Sequence, residues 1–282
     1  MNQTSTGSGR RNNTVYTLYI GKLQGYGRLR NHDDTRYGSW PGTAEPVPSG
    51  QVRCRQAPSL SHTVTKGQFM STVTVYGSTG MVGSAITAEA ASRGFTVTGV
   101  TRGNPDHVKN PVPGVTYVTG DIADTGDVVE KARATDIIVF SVPGPRDGSS
   151  VQPIIDAHSR IVAAFAGAKI TARIFIVGGA GATRTPDGTM LKDTPDFPAA
   201  YKAEAESFAR ILELWQGSAR DLDWTMLAPA PQIAPGEPTE SYNLGDDQPA
   251  GDFVTAGTFA RAAVDELEKP AHRRARFTVA NA

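Results

Sequence analysis

From residue 70 onward, short apolar runs alternate with amphipathic stretches. The apolar runs predict strands, and they cover residues 73–76, 95–100, 115–118, 136–142, 173–177, 224–227 and 276–280. The amphipathic stretches carry apolar residues at helical spacing and predict helices at about 83–93, 124–133, from 153 onward, 199–216 and 257–268. This alternation predicts a doubly wound parallel sheet, with a ligand crevice at the carboxyl ends of its strands.

Two segments depart from this alternation. Residues 230–251 are rich in proline and glycine, and they predict a small irregular lobe on the substrate side of the crevice. Residues 1–69 show no sustained period and are rich in Gly, Ser, Thr, Asn and Pro, which predicts a disordered extension. Met70 stands three residues before the first strand, so we expect translation to begin there and 1–69 not to belong to the natural product.

The most informative motif joins the first strand to the first helix. Three glycines, Gly77, Gly80 and Gly83, follow the strand in the pattern G-x-x-G-x-x-G. In such a unit the first glycine permits a sharp turn, the second lets the backbone approach a pyrophosphate, and the third lets the helix pack closely on the sheet. The bound phosphates would accept hydrogen bonds from the helix N-terminus. The alternative is a tight turn that only packs.

The position after the second strand indicates which dinucleotide would bind. NAD-specific units place an acidic residue there, whereas this chain has Thr101-Arg102-Gly103. A guanidinium binds the 2′-phosphate of NADP, which a carboxylate would repel. We therefore expect NADP(H) to be preferred, with NAD(H) as the alternative if Arg102 is only a solvated loop residue.

Composition and charge exclude several classes of protein. The single cysteine, Cys54, excludes an internal disulfide framework, and the five histidines lack metal-ligand spacing, so we expect no metal. His158 lies on an apolar helix face and is predicted to be packed. No apolar run is long enough for a membrane span, so we expect a soluble, cytoplasmic protein.

The zero net charge is the sum of two unequal parts. Residues 1–69 hold nine Lys and Arg against three Asp and Glu, and residues 70–282 hold 19 against 25. A basic tail is compatible with nucleic-acid binding, but residues 70–282 show no basic patch or helix-turn-helix, so we expect no nucleic-acid partner for them.

Four motifs together resemble the atypical short-chain dehydrogenase/reductases. They are Gly-Ser-Thr-Gly-Met-Val-Gly at 77–83, Gly-Asp-Ile at 120–122, Gly-Gly-Ala-Gly at 178–181 and Thr-Pro-Asp-Phe-Pro-Ala-Ala-Tyr-Lys at 194–202. Within that group, the chain is most similar to the NAD(P)H-binding proteins of the NmrA-like and flavin reductase-like type. The resemblance covers residues 70–282 and implies an NAD(P)-binding Rossmann fold.

The resemblance also implies a set of cofactor-binding residues. The pyrophosphate would be bound by the turn residues Gly77, Ser78, Thr79, Gly80, Met81, Val82 and Gly83. Asp121 and Ile122 would flank the adenine, and Ser141 and Val142 would approach the ribose. Gly178, Pro229 and Ala230 would lie near the nicotinamide.

The catalytic signature of the main short-chain group is incomplete in this chain. That group uses a serine after the fifth strand and a Tyr-x-x-x-Lys pair, but here Gly178 takes the place of the serine and Ala205 follows four residues after Tyr201. Lys202 is adjacent to Tyr201 on the predicted helix and points about 100° away from it. Tyr201 and Lys202 are therefore weak catalytic candidates, and a packed Tyr201 is the favoured interpretation.

Two functions remain open from the sequence. The first is an NADPH-dependent reductase that transfers a hydride to a small acceptor, such as a flavin, a quinone or a carbonyl compound. The second is a non-catalytic sensor in which the dinucleotide shifts a binding surface. The resemblance also leaves an epimerase-like activity open. We favour the reductase, acting on a small-molecule substrate as a monomer or homodimer, because residues 230–251 are suited to cover a pocket.

Overall fold

A computed structural model describes residues 71–145 and 147–282. The expectations for residues 1–69 and for a translation start at Met70 lie outside the described residues. Among the described residues, no helix has the length and apolar character needed to cross a membrane.

The described residues form a layered α/β fold with ten strands and five α-helices. The strands are β1 (Thr72–Tyr76), β2 (Thr96–Thr101), β3 (Thr116–Thr119), β4 (Ile137–Phe140), β5 (Arg173–Val177), β6 (Trp224–Pro229), β7 (Gln232–Ala234), β8 (Tyr242–Gly245), β9 (Phe253–Thr255) and β10 (Ala275–Asn281). The helices are α1 (Met81–Ser92), α2 (Thr125–Arg133), α3 (Gln152–Ala168), α4 (Ala199–Ser218) and α5 (Ala256–Glu268).

Eight of these strands form the main sheet, in the order β3-β2-β1-β4-β5-β6-β10-β8. All neighbouring pairs are parallel except β10 and β8. The chain moves outward from β1 to β3 and then returns to place β4 on the other side of β1. This reversal creates the crevice in which doubly wound folds bind their ligands. The predicted doubly wound parallel sheet is therefore confirmed.

Alternate residues of the strands are buried against opposite helical layers. Val73, Val75 and Val139 belong to the apolar cluster that includes residues of α1 and α5. Tyr76 and Phe140 belong to the cluster that includes residues of α2, α3 and α4. Because both faces are covered, the central strands consist almost entirely of buried apolar residues, and for this reason they are easily found in the sequence.

Residues 230–251 contain more regular structure than their prolines and glycines predict. β7 pairs with β9 in a separate two-stranded sheet, and β8 joins the edge of the main sheet by antiparallel pairing with β10. These strands have only three or four residues, so no period distinguishes them in the sequence. Pairing with β9 and β10 supplies the hydrogen bonds that local propensity does not.

Candidate dinucleotide-binding site

The three turn glycines have different steric surroundings. At Gly77 the backbone has φ +79°, and an added Cβ would overlap the carbonyl oxygen of Ser141. At Gly83 an added Cβ would overlap the carbonyl oxygen of Gly77. At Gly80 the nearest atom to an added Cβ is the Gly77 carbonyl oxygen, at an ordinary contact distance of 3.4 Å. Gly77 and Gly83 are thus required by the fold, whereas the space beside Gly80 is open.

The N-terminus of α1 presents free donors next to this open space. The first helical hydrogen bond runs from Ser84 N–H to Gly80 O at 2.8 Å. Among the described residues, the N–H groups of Met81, Val82 and Gly83 have no backbone partner, and no acidic residue lies in the first turn of α1. Nothing in the described chain therefore competes with an anion for these N–H groups.

The side chains within the turn have separate tasks. The Ser78 hydroxyl is buried and donates to Val100 O at 3.0 Å, so it fastens the turn to β2 rather than facing the crevice. The Thr79 side chain is exposed. Of these two hydroxyl groups, only that of Thr79 is accessible to a ligand.

The loop after β4 lies directly against the glycine turn. Ser141 N–H donates to Tyr76 O at 3.0 Å, which continues the pairing of β1 and β4 beyond the end of β4. The Ser141 Oγ lies 3.2 Å from the position a Cβ would take on Gly83, and Val142 Cγ2 lies 3.3 Å from the corresponding position on Gly77. The structure thus brings Ser141 and Val142 against the glycine turn, while their contact with a dinucleotide stays a prediction.

The loops after β2 and β3 meet on the other side of β1. Gly120 N–H donates to Thr101 O at 3.0 Å, which places Thr101 and Arg102 beside Asp121 and Ile122. Ile122 is buried, and Asp121 Oδ1 accepts from Ala123 N–H at 2.9 Å. Arg102 is exposed and makes no ion pair or side-chain hydrogen bond with the residues that the structure describes. Its guanidinium group is therefore available to a ligand.

A buried tyrosine below this loop is a feature that the sequence analysis missed. The Tyr76 hydroxyl donates to Asp127 Oδ2 on α2 at 2.9 Å, and Asp127 also pairs with Lys131. Burial and the Asp127 carboxylate raise the pKa of Tyr76 far above its usual value, so the phenol stays protonated and keeps donating. A Cβ on Gly120 would lie 2.7 Å from Asp127 Oδ2, so the 120–122 loop packs closely against the Asp127 side chain that accepts from Tyr76. The i, i+4 spacing of Asp127 and Lys131 is the only sequence signal for it.

The predicted nicotinamide end lies at the carboxyl ends of β5 and β6. Gly178 N–H donates to Leu227 O at 2.8 Å, so Gly178 lies beside the end of β6. Pro229, the last residue of β6, and Ala230, which follows it, are both buried. A Cβ on Gly178 would lie 2.9 Å from Met226 Cγ, so a serine at this position would have to displace the Met226 side chain.

The helix that carries Tyr201 explains why the catalytic pair is incomplete. Ala205 is buried, and a Cβ on Gly181 would overlap its methyl group. A lysine at position 205 would therefore collide with the segment after β5. Tyr201 is half-buried and Lys202 is exposed. Neither side chain forms a hydrogen bond or ion pair with the described residues, so the structure assigns them no acid–base partner.

His158 is packed within the core, as predicted. It is fully enclosed on α3, accepts a hydrogen bond at Nδ1 from Trp215 Nε1 at 3.2 Å, and has the ring of Phe140 against it edge-on. Burial lowers the pKa of His158 to about 4, so the imidazole is neutral in the folded protein.

We expect this histidine to make the fold sensitive to acid. In the unfolded chain its pKa is about 6.5, so between pH 6.5 and 4 the unfolded state binds more protons and stability falls as the pH is lowered. Urea unfolding of the wild type should show that His158 lowers the free energy of unfolding by about 2 to 3 kcal/mol between pH 7 and pH 4.5. His158→Phe should be less stable at pH 7, because Trp215 loses its acceptor, but its loss between the two pH values should be smaller by that amount. An equal pH dependence in both proteins would contradict the assignment.

Comparison with known protein families gives a match that spans this groove. Residues 77–270 match the model of a family described as NAD(P)H-binding. Among curated proteins, the uncharacterized protein YwnB of Bacillus subtilis strain 168 is 32% identical over 216 residues, which are 73% of this chain and 96% of YwnB.

Solved structures with this fold come from several bacteria. A Burkholderia pseudomallei protein, provisionally named an exported protein, is 31% identical with a TM-score of 0.64, over 75% of this chain and 100% of its own. A provisionally named epimerase from Bacteroides thetaiotaomicron is 27% identical with a TM-score of 0.65, over 75% and 97%. A provisionally named NADH-flavin reductase from Streptococcus pneumoniae TIGR4 is 26% identical with a TM-score of 0.62, over 75% and 100%.

Proposed function

We propose that this chain, which belongs to the NAD(P)H-binding family, is an NADPH-dependent reductase that transfers a hydride to a small acceptor. The observation that carries the proposal is the open space beside Gly80, next to the N–H groups of Met81, Val82 and Gly83, which have no backbone partner among the described residues. Oxidoreductase chemistry also agrees with the family match and with the structural relatives, one of which is a provisionally named NADH-flavin reductase.

The described residues fit a dinucleotide along the whole groove. The N–H groups at the start of α1 would hold the pyrophosphate, and Ser141 and Val142 would contact the adjoining ribose. Asp121 and Ile122 would flank the adenine, while Gly178, Pro229 and Ala230 would lie beside the nicotinamide. The bound cofactor supplies a hydride, and the task of the chain is to hold the acceptor against it and to exclude water.

The preference for NADPH over NADH rests on Arg102. This residue occupies the position where a carboxylate would select NADH, and its guanidinium has no partner within the described chain. A guanidinium can donate two parallel hydrogen bonds to a phosphate, so Arg102 would bind the 2′-phosphate of NADPH in this way.

The absence of a tyrosine–lysine pair narrows the class of acceptor. With Ala205 in the place of the lysine, Tyr201 has no lysine one helical turn after it. A flavin or a quinone can take up a hydride with little proton chemistry from the protein, whereas a simple carbonyl relies on a general acid. Flavins and quinones are therefore the acceptors that suit these residues best. We expect the reaction to take place in the cytoplasm, with the protein as a monomer or homodimer.

Stopped-flow oxidation of bound NADPH tests the reductase against a sensor. The full chain is loaded with NADPH and mixed with flavin mononucleotide, riboflavin, small quinones and small aldehydes in turn. We expect a flavin or quinone to accelerate the loss of NADPH absorbance. Micromolar NADPH binding without faster NADPH oxidation by any acceptor would instead favour the sensor. The missing tyrosine–lysine pair would also agree with that outcome.

Replacing Tyr201 with phenylalanine tests the proposal that Tyr201 does not act as a catalytic residue. Turnover of Tyr201→Phe should stay within a few-fold of wild type, because the lost hydroxyl has no hydrogen-bond partner in the described chain. A true general acid typically contributes about 10² to 10⁴-fold. A hundredfold loss of kcat with an unchanged circular dichroism spectrum would restore Tyr201 as a catalytic residue.

A further inference from the structure

A buried arginine on β10 is not accounted for by the dinucleotide groove. The Arg276 side chain is only 2% exposed, and it donates from Nη2 to Asp247 Oδ1 at 2.5 Å and from Nη1 to Ala182 O. Its Nε has no hydrogen-bond partner in the described chain. Burial of a guanidinium is costly unless it is paired. These few contacts therefore offset the cost of enclosing the Arg276 guanidinium.

The register of the sheet places Arg276 close to the nicotinamide end of the groove. Arg276 pairs with Met226 on β6, and Met226 pairs with Ile176 on β5. Gly178 follows two residues after Ile176, and Met226 contacts the space beside it. Arg276 thus lies one strand beyond Met226, at the level where β5 ends.

The contacts of Arg276 join two segments that are far apart in the chain. The first is the turn at 180–182, which leads into a small hairpin where Thr185 N–H donates to Thr189 O at 2.8 Å. The second is the segment 247–248, whose Asp247 carbonyl accepts from Arg184 N–H at 2.8 Å. Thr278, two residues along β10, donates to Gln248 O at 2.7 Å. We refer to residues 180–190 together with 247–248 as the acceptor-side wall.

The ion pair that closes this wall is asymmetric. Arg276 is enclosed, whereas the Asp247 side chain is 60% exposed. The carboxylate can rotate into water at little cost, but the guanidinium cannot follow it. Among the described residues, Asp247 is the only carboxylate within ion-pair distance of Arg276. Loss of the Asp247 carboxylate would therefore loosen the wall, while Arg184 N–H and the Thr278 hydroxyl would still donate to Asp247 O and Gln248 O.

We propose that Arg276 is a positioning residue that fixes the acceptor-side wall, and thereby sets the affinity for the acceptor without acting on the dinucleotide. This inference rests on the proposed reductase function, because the wall borders the place where the acceptor would meet the nicotinamide. No hydrogen bond or ion pair joins Arg276 to the 77–83 turn, Arg102 or Ser141 in the described structure, so we expect the affinity for NADPH to depend little on it.

The test compares two neighbouring aspartates in the full chain. Asp247→Ala removes the ion pair from its exposed side, and Asp246→Ala is the matched control, since Asp246 is exposed and has no side-chain partner among the described residues. Arg276→Lys keeps the charge, but a single ammonium cannot span Ala182 O and Asp247 as the guanidinium does. Each protein is assayed for NADPH affinity, for KM and kcat with flavin mononucleotide, for flavin binding by fluorescence quenching, and for tryptic cleavage after Arg184.

For Asp247→Ala we expect acceptor KM and flavin Kd to rise about tenfold, since a hydrogen bond to a charged group typically contributes a factor of that order. Its kcat should stay within about twofold, its NADPH affinity should equal that of wild type, and cleavage after Arg184 should be about tenfold faster. Arg276→Lys should change in the same direction, and Asp246→Ala should match wild type.

Three results would overturn the proposal. In the first, Asp247→Ala keeps the acceptor KM and the flavin Kd of the wild type. The ion pair between Arg276 and Asp247 would then be only structural, even if cleavage after Arg184 is faster. Equal changes in Asp246→Ala would assign the effect to the general loss of negative charge. A wild-type protein that binds NADPH but reduces none of the flavins and quinones would overturn the reductase function itself and this role with it. The inactive wild type distinguishes that failure from the first two.

Discussion

Gly80→Val is expected to abolish dinucleotide binding while the protein stays folded. Within the described chain, an added Cβ at this position meets only the Gly77 carbonyl oxygen, at 3.4 Å, so the free protein accommodates a side chain. The same side chain fills the space in which a pyrophosphate would reach the N–H groups of α1. Losing two charge-assisted hydrogen bonds would weaken binding by about a hundredfold or more, and calorimetric titration with NADPH measures this loss.

Two further substitutions make this result specific. Gly167→Val adds the same side chain to α3, where no atom of the described chain lies within 4 Å of the added Cβ, and should bind NADPH as wild type does. Gly83→Ala would drive its methyl group into the Gly77 carbonyl oxygen, so it should cost about 2 kcal/mol or more in urea unfolding. Gly80→Val should cost no more than about 1 kcal/mol, as expected for an N-cap position. Wild-type affinity in a folded Gly80→Val protein would mean that the phosphates bind elsewhere.

Replacing Arg102 should change the choice of dinucleotide rather than the ability to bind one. A charge-assisted hydrogen bond is typically worth about 1.5 to 3 kcal/mol, so Arg102→Ala should weaken NADPH by roughly ten- to hundredfold. NADH lacks the 2′-phosphate and should bind with nearly unchanged affinity. Arg102→Asp should reverse the preference, because a carboxylate repels the phosphate and accepts from the ribose hydroxyls. Fluorescence quenching at fixed ionic strength measures both affinities.

The control for Arg102 is another exposed arginine. Arg210→Ala on the outer side of α4 makes the same change in net charge away from the groove, and it should leave both affinities unchanged. If the wild type already binds NADH as tightly as NADPH, then Arg102 is a solvated loop residue and the physiological cofactor is NAD(H).

The sequence reveals the central sheet and the glycine turn because both depend on local patterns. The strand β4 is a continuous apolar run because both of its faces are buried, and Gly77 and Gly83 are glycines because any side chain there would strike a carbonyl group. Signals of this kind lie within a few adjacent residues, and the ends of the predicted strands of the main sheet differ from the structure by at most two residues, as in β4, predicted over 136–142 and found at Ile137–Phe140.

Features formed by distant residues are absent from the sequence pattern. β8 is a strand because β10 pairs with it, and its own residues Tyr-Asn-Leu-Gly carry no period. Arg276 looks like an ordinary surface cation in the sequence, since its partners Ala182 and Asp247 lie far away along the chain. The Tyr76 bond to Asp127 crosses from strand to helix in the same way. In each case the contact is specified by tertiary packing, which one segment alone does not encode.

The position of β10 between β6 and β8 has a consequence for biosynthesis. Strands β1 to β4 and the glycine turn leave the ribosome early, and domains generally begin to fold from the segment that emerges first. β6 and β8 have no partner on their facing edges until residues 275–281 have been made, because β10 pairs with both. During translation the nascent chain therefore carries an open sheet edge late in synthesis, and unpaired edges of this kind promote aggregation. Nucleotide captured by the early half of the sheet would hold that half in its native form while the last strand is still being synthesised.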